Sequence, residues 1–285
     1  MEPATVQPET PSPRQVLIIR ARSQWSLAEW VELWQFRDLL ATLAARDVKL
    51  RYRQTALGVV WVILQPVMAA GIFTFVFGRI AKLTSEGIPY FLFSYAGLLG
   101  WNAFSSTLTK SGASLVGNAA LISKVYFPRL ILPLSGVLST LLDFSIGLAF
   151  MVPLYWYYHV APGWGVLLLP LWFLLTVTLA SGLGILMSAL TVTYRDVQYI
   201  LPVFIQFLVY ATAVGYSVAA APAGYRAAIM ANPLSTLMEG FRCSLLGTTA
   251  PPWPWIGYTV GCTLVLSLVA VLVFRQMEAR FADVI

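Results

Sequence analysis

The 285-residue sequence is 59% hydrophobic and only 11% charged, where a soluble domain carries roughly 25% charge, so a water-soluble globular protein is excluded. The formal net charge of +6 does not indicate nucleic acid, because no basic cluster is interleaved with aromatics in a polar domain. In a membrane protein such an excess serves topology and anionic head groups.

Residues 1–25 read as a tail. Residues 1–13 are rich in Pro, Glu and Thr, a composition that favours disorder. Residues 15–22 form a short β-prone piece, and no cationic stretch leads into an apolar one as in a cleavable signal peptide. The segment 26–56 predicts an amphipathic helix. Ser26 and Glu29 have the spacing of a capping box, and Trp30, Leu33, Leu40, Leu43 and Leu50 recur at helical intervals. Such a helix lies either in the cytoplasmic interface plane or against the protein itself. It ends in Arg46, Lys49, Arg51 and Arg53, directly before an apolar run at 57–77. At 1.5 Å per residue that run covers ~30 Å, one bilayer core. The cations cannot follow it into hydrocarbon, so they mark the cytoplasmic face.

Five further spans are predicted, at about 88–108, 130–155, 166–191, 199–216 and 257–274, followed by a cytoplasmic tail at 276–285. Residues 78–87 form an outer loop, and Lys110 to Pro128 a long connection on the inner side. Pro66 interrupts the first span, as membrane helices tolerate. Gly182, Gly184 and Ser188 are small packing residues of the fourth. Between spans five and six, an apolar stretch at 225–230, Asn232-Pro233 and an amphipathic Leu234 to Leu246 are each too short to cross. They read as re-entrant half-helices or an outer cap. In this arrangement every Lys and Arg except Arg79, Lys82, Arg226 and Arg242 falls on the inner side, which places both termini in the cytoplasm. The fold class is therefore an all-α membrane protein of six transmembrane helices, preceded by an interfacial helix.

Catalytic patterns are missing. The one histidine, His159, stands in an aromatic belt with Tyr155, Trp156, Tyr157 and Tyr158. There is no HExxH, GxSxG or GxxxxGK[ST], so no metal site or enzymatic activity is expected and this chain should not hydrolyse ATP. Cys243 and Cys262 match no zinc or redox spacing and read as packing residues. Asp143 is the one ionisable residue expected deep in a span. Three readings stand for it: a structural or subunit contact, a substrate path, or proton coupling. Tyr90, Phe91, Phe93, Tyr95, Trp101 and Phe104 crowd the second span, as an interfacial belt or as a channel lining on which sugar rings stack.

Read together, several motifs resemble the permease subunit of type-2 ABC exporters for polysaccharides, the O-antigen, capsule and teichoic-acid group. They are RDVKLRYRQTALGVVW at 46–61 with Gln65-Pro66, PYFLFSYAGLLGWNAF at 89–104, SLVGNAALISKVYFPRLILPL at 114–134, Asp143-Phe144, TYRDVQYILP at 193–202, and Asn232-Pro233 followed by MEGFR at 238–242. The resemblance runs from about residue 30 to 280 and looks closest to the O-antigen branch. It implies an inner-membrane permease that binds no cofactor, works as two copies with two ATP-binding subunits carrying ATP and Mg, and exports a lipid-linked glycan. It implies coupling to the ATPase through Lys124, Tyr126, Phe127, Pro128 and Arg129, and through Tyr194, Arg195 and Asp196. A cytoplasmic entrance at Arg46, Lys49, Arg51 and Arg53 would hold the lipid pyrophosphate. An outer gate would use Tyr216, Asn232, Pro233, Glu239 and Arg242. One departure is Thr212-Ala213-Val214-Gly215-Tyr216, where that branch usually has Ser-Pro-Val-x-Tyr. Without the proline, the break in the fifth span is either shifted or supplied by Gly215. The competing function is a proton-coupled or facilitated lipid flippase acting without an ATPase. A membrane glycosyltransferase is disfavoured by the lack of paired acids.

Overall fold

A computed structural model describes residues 33–53, 58 and 60–284, and among them the regular structure is helical with no strand. The tail at 1–25, the β-prone piece and the Ser26 cap lie outside the described residues. The elements are α1 (Arg37–Arg53), α2 (Val60–Phe73), α3 (Tyr90–Gly117), α4 (Ala119–Ile122), α5 (Ile131–Tyr158), α6 (Leu169–Thr193), α7 (Val197–Ala211), α8 (Ala223–Met230), α9 (Pro233–Leu246) and α10 (Trp253–Val284). A π-helical turn, Thr74–Ile80, extends α2, and a 3₁₀ turn, Trp164–Leu168, leads into α6.

Among the described residues four segments are long and apolar enough to cross a bilayer: Val60–Ile80, Ile131–Tyr158, Trp164–Thr193 and Trp253–Glu278. The second and fifth predicted spans fall short for different reasons. Helix α3 has the length, but Asn102, Ser105, Ser106, Thr109, Lys110 and Ser111 dilute its hydropathy. Helix α7 is apolar but has 15 residues, about 22 Å against a ~30 Å core. The expectation that the inner connection starts at Lys110 is corrected, because α3 continues to Gly117. The Lys110 ammonium is held inside the fold, 3.2 Å from Asp143 Oδ2 and 2.8 Å from Ser139 Oγ, so its charge does not end the helix.

Helix α3 is the centre of the molecule, with α2, α5, α6 and α9 packed around it. In lipid, helices gain no hydrophobic drive from meeting, so close packing by small residues decides the contacts. A Cβ on Gly184 would lie 2.4 Å from Ser111 Cβ, and one on Gly182 would lie 2.7 Å from Ser267 Oγ. Those glycines bring α6 against α3 and α10, as the sequence reading expects. Two apolar cores are stacked along α3. One joins Phe93, Tyr95, Leu99 and Phe104 to Trp172, Leu179, Leu237 and Phe241. The other joins Leu115, Phe127, Ile131, Ile185, Val192 and Phe274 to Leu43 of α1, with Leu39 and Leu40 packed alongside. Helix α1 thus lays an apolar face on the protein, while Leu50 on it and Trp34 just before it remain exposed.

Helix α9 is buried on every side: all its residues except Pro233 and Cys243 are inside. The expected one-sided amphipathic stretch is instead a core helix, closed at its C-terminus by Gly247 at φ 69°. Helix α5 likewise ends on His159 in the left-handed region, at φ 53°, beside exposed Trp156 and Tyr157.

Candidate functional site

Three places gather the residues that the sequence singles out. The first is where α7 breaks. The helix stops at Ala211 and Thr212 is extended (φ −107°, ψ 140°), so the break stands where the missing proline would put it. A broken helix leaves carbonyls without donors, and Arg242 from α9 supplies them. Its Nη2 donates to Ala213 O at 2.8 Å and to Val214 O, and its Nη1 to Tyr216 O at 3.1 Å and Glu239 Oε1 at 3.3 Å. Arg242 is fully buried, with its guanidinium carbon 4.1 Å from the Phe93 ring centroid. Gly97 makes room, since a Cβ there would lie 2.7 Å from Nη2. Glu239 also accepts the Val218 N–H at 3.0 Å. Arg242 is therefore not an outer-loop cation, which corrects its place in the charge tally. A formal charge in this setting is retained because each partner neutralises or hydrogen-bonds the other.

Asn232 completes the block. Its Oδ1 accepts the Leu234 N–H at 3.1 Å, capping α9, and its Nδ2 donates to Thr212 Oγ1 at 2.9 Å. Pro233 occupies the first turn of α9, where no N–H is needed. Gly215 acts through space rather than through φ. A Cβ there would lie 2.9 Å from Phe77, and Tyr90 donates its hydroxyl to Gly215 O at 2.7 Å. Glu86, missed in the sequence reading, ties this block to the next connection. Its two oxygens accept from Ser217 Oγ at 2.8 Å and from Thr249 N at 3.0 Å. Burial alone would raise the Glu86 carboxyl, yet these donors, with Thr249 foremost, hold it below the ordinary carboxylate value.

The second place is a cavity of about 550 Å³ between α2, α3, α5 and α7. Asn102, Ser105, Ser106 and Thr109 line its α3 wall, Gln65 its α2 wall, and the Lys110–Asp143 pair and Thr140 its third side. Asp143 thus has a cation partner that the sequence reading, with Lys110 in a loop, did not supply. The expected channel aromatics do not reach this space. Phe93, Tyr95, Trp101 and Phe104 are buried in the core, and Tyr90 and Phe91 are half-buried at the other end of α3.

The third place is the end of the molecule where α3 and α6 stop. Lys124, Val125 and Tyr126 are exposed before α5, and Tyr194, Arg195 and Asp196 are exposed between α6 and α7. Phe127 differs from its neighbours, being buried in the second core at 5% exposure. Arg129 donates from Nη1 to Glu278 O at 2.6 Å and lies 5.8 Å from the Phe281 ring centroid. Phe127 and Arg129 therefore anchor the segment to the protein, with Pro128 half-buried between them, while Lys124 and Tyr126 face outward. On α1, Arg46 and Lys49 are exposed, and Arg46 pairs with Asp47 at 3.0 Å. The side chains of Arg51 and Arg53 lie outside the described residues. Among the described residues no cluster of acids, His and Cys is able to hold a metal ion.

The chain matches a family model described as ABC-2 type transporter over residues 38–246. It is 29% identical over 254 residues to the O-antigen export system permease protein RfbA of Myxococcus xanthus, covering 88% of this chain and 97% of that protein. A protein of the same description from Klebsiella pneumoniae is 30% identical over 254 residues, covering 87% and 95%. The polysialic acid transport protein KpsM of Escherichia coli is 23% identical over 240 residues, covering 83% and 92%.

Proposed function

This chain belongs to the ABC-2 type transporter family, and from that premise we propose that it is the membrane subunit of an ATP-driven exporter for a lipid-linked, O-antigen-like polysaccharide. The observation that carries this reading is the near-full-length similarity to O-antigen export permeases. Members of the family are permease subunits that normally work with an ATP-binding subunit. In our reading two copies of this chain enclose the path and two ATP-binding subunits, holding ATP and Mg, dock on the cytoplasmic face of a bacterial inner membrane.

Six crossings follow if α3 and α7 are counted with the four apolar segments. The α3 polar residues are tolerable because neighbouring helices surround it. The short α7 gains length from the extended residues after Ala211. Both termini then lie in the cytoplasm, with α8 and α9 dipping from the outer side. Lys124, Tyr126, Tyr194, Arg195 and Asp196 form the docking surface, and Phe127, Pro128 and Arg129 brace it. Arg46 and Lys49, with Arg51 and Arg53, line the entrance and hold the lipid pyrophosphate by charge-assisted hydrogen bonds. The Arg242–Glu239–Asn232 block, with Pro233 and Tyr216, shapes the outer end. A hydrated glycan cannot cross hydrocarbon unaided, so a continuous polar path is required.

The test is purification of the tagged chain with its ATP-binding subunit, comparing wild type with Tyr126→Ala. The expected result is an intact complex whose ATP hydrolysis no longer rises with substrate, and loss of surface glycan in cells. Phe127→Ala serves as the contrast and should lower the melting temperature instead, because it removes a buried ring. A complex without any ATP-binding subunit, or full coupling in Tyr126→Ala, overturns the assignment.

A further inference from the structure

We propose that the last turns of α10 are a positioning element for energy coupling. Through Arg129 they fix the exposed segment Lys124–Tyr126 relative to the membrane helices, so that force applied there moves the transmembrane fold rather than bending the loop. The proposal rests on the export reading above, and it gives a role to a stretch, 276–285, that reads in the sequence as a cytoplasmic tail. Helix α10 has 32 residues, about 48 Å at 1.5 Å per residue, against a ~30 Å bilayer core. The part apolar enough to cross is Trp253–Glu278, and Arg275, Glu278, Arg280 and Asp283 crowd the last turns, so that end stands clear of hydrocarbon. A chain end is poorly ordered unless something ties it down. This one buries Phe281 to 1% exposure, its ring edge-on to Phe274 with the centroids 5.4 Å apart.

Arg129 is what meets this end. Its Nη1 donates to Glu278 O at 2.6 Å, and its guanidinium carbon lies 5.8 Å from the Phe281 ring centroid. A backbone carbonyl has two lone pairs, so it can accept from Arg129 as well as within the helix. A bond to backbone also fixes position, where one to a flexible acidic side chain would not. Arg129 stands shortly after Tyr126, in the turn that starts α5: Ile131 N donates to Pro128 O at 3.0 Å and Leu132 N to Arg129 O at 3.2 Å. Upstream, Ser123 to Tyr126 are exposed. Their downstream fastenings are Phe127, in the same core as Phe281, and Arg129 on α10. Helix α10 is itself held against sliding. Gly182 of α6 closes on Ser267, whose Oγ donates to Thr178 O at 3.3 Å. It also packs on α9, whose Arg242 holds the break after α7. Coupling between distant sites is carried by packed side chains and rigid elements, and Arg129 is the contact that joins the exposed segment to that set.

The experiment combines a nitroxide spectrum with export. The label sits on Val125→Cys, in a Cys243→Ala, Cys262→Ala background, in the full complex with the ATP-binding subunit in lipid nanodiscs. Val125 is 52% exposed and is not one of the docking residues named above. Arg129→Ala and Phe281→Ala should each raise the mobile fraction of the spectrum at least about twofold. Each should also slow the appearance of glycan at the cell surface about tenfold, the worth of one hydrogen bond to a charged group. The purified complex should keep its ATP-binding subunit and its ATP hydrolysis. Arg129→Lys retains a donor for the carbonyl and a cation over the ring, and should restore both readouts, which separates positioning from simple packing. Phe281→Ala empties a core position, so its assembly is checked by size-exclusion chromatography. If it does not assemble, Arg129→Ala carries the test. Unchanged mobility or wild-type export in Arg129→Ala overturns the proposal. Loss of the ATP-binding subunit from that variant overturns it too, since the contact would then serve docking. The export reading fails separately, through retained surface glycan when the gene is deleted, while the nitroxide still reports the hold of α10 on the segment.

Discussion

Arg242 satisfies carbonyls that the break after Ala211 would otherwise leave bare, and it does so with a charge that Glu239 balances. Removing it by Arg242→Met strands the buried Glu239 and three carbonyls. Breaking a buried pair from one side costs about 3–5 kcal/mol, so the detergent-solubilised protein should lose most of its folded fraction in a thermal melt followed by size-exclusion chromatography. Arg242→Lys keeps the charge but lacks the planar fork that reaches several acceptors, and its melting point should fall between the two. The double variant Glu239→Gln, Arg242→Met should melt above Arg242→Met alone, because no uncompensated acid is left. A wild-type melting point in Arg242→Met would mean that the network carries no weight. The sequence places Arg242 and Asn232 at the outer end by resemblance to a motif, but not Arg242's burial. A single arginine within an amphipathic-looking stretch reads as a surface charge, and the acceptors it serves lie 26 to 29 residues earlier in the chain. Asp143 is legible in the sequence as an intramembrane acid, but a lysine normally ends a span, so Lys110 reads as part of a loop and its pairing with Asp143 stays hidden.

At the level of elements, the contacts of α9 with α3 and α6 depend on positions where no side chain fits. A Cβ on Gly100 would lie 2.5 Å from Phe241 Cδ2, and one on Gly240 would lie 2.5 Å from the Trp172 ring. Gly100→Val therefore forces α9 outward from α3. Overpacking of this kind costs typically 1–3 kcal/mol, and the expected result is a lowered melting temperature with α9 opened to protease. Gly261→Ala on α10 is the control, since nothing lies within 4 Å of its added carbon, and its melt should match wild type. If both variants behave alike, the close approach is not what holds α9. The glycines of the fourth predicted span were legible as packing residues because a small residue in an apolar run has few other uses. The burial of α9 was not legible. Its apolar periodicity marks one face, while Ser235, Thr236, Glu239 and Ser244 read as a solvated face and are in fact buried. The break in α7 was legible in position but not in cause, because Arg242 and Asn232 supply what a proline would have supplied.

For the whole molecule, charge and length pull in different directions on the number of crossings. Hydropathy alone gives four crossing segments among the described residues. The six-crossing arrangement adds α3, around which α2, α5, α6 and α9 pack. It also adds α7, whose exposed Tyr199, Ile200, Phe204, Phe207 and Tyr210 suit lipid or a second copy. The two arrangements separate at the turns. With six crossings, the loop at 81–89 and the turn at 159–163 lie outside, and Lys124 and Asp196 lie inside. With four, the apolar segments alternate without α3 and α7, so 81–89 and Lys124 share one side of the membrane. Single cysteines at Lys82, Lys124, Gly163 and Asp196, in the Cys243→Ala, Cys262→Ala background, decide between them with an impermeant maleimide added to intact spheroplasts. None of the four replaces a packed residue: Lys82, Lys124, Gly163 and Asp196 are all at least partly exposed. Lys82→Cys and Gly163→Cys should label in intact cells, and Lys124→Cys and Asp196→Cys only after permeabilisation. Labelling of Lys124→Cys from outside would remove α3 as a crossing. It would also move the exposed Tyr126 away from any ATP-binding subunit, so the same measurement bears on where the chain is driven as well as on how it is threaded.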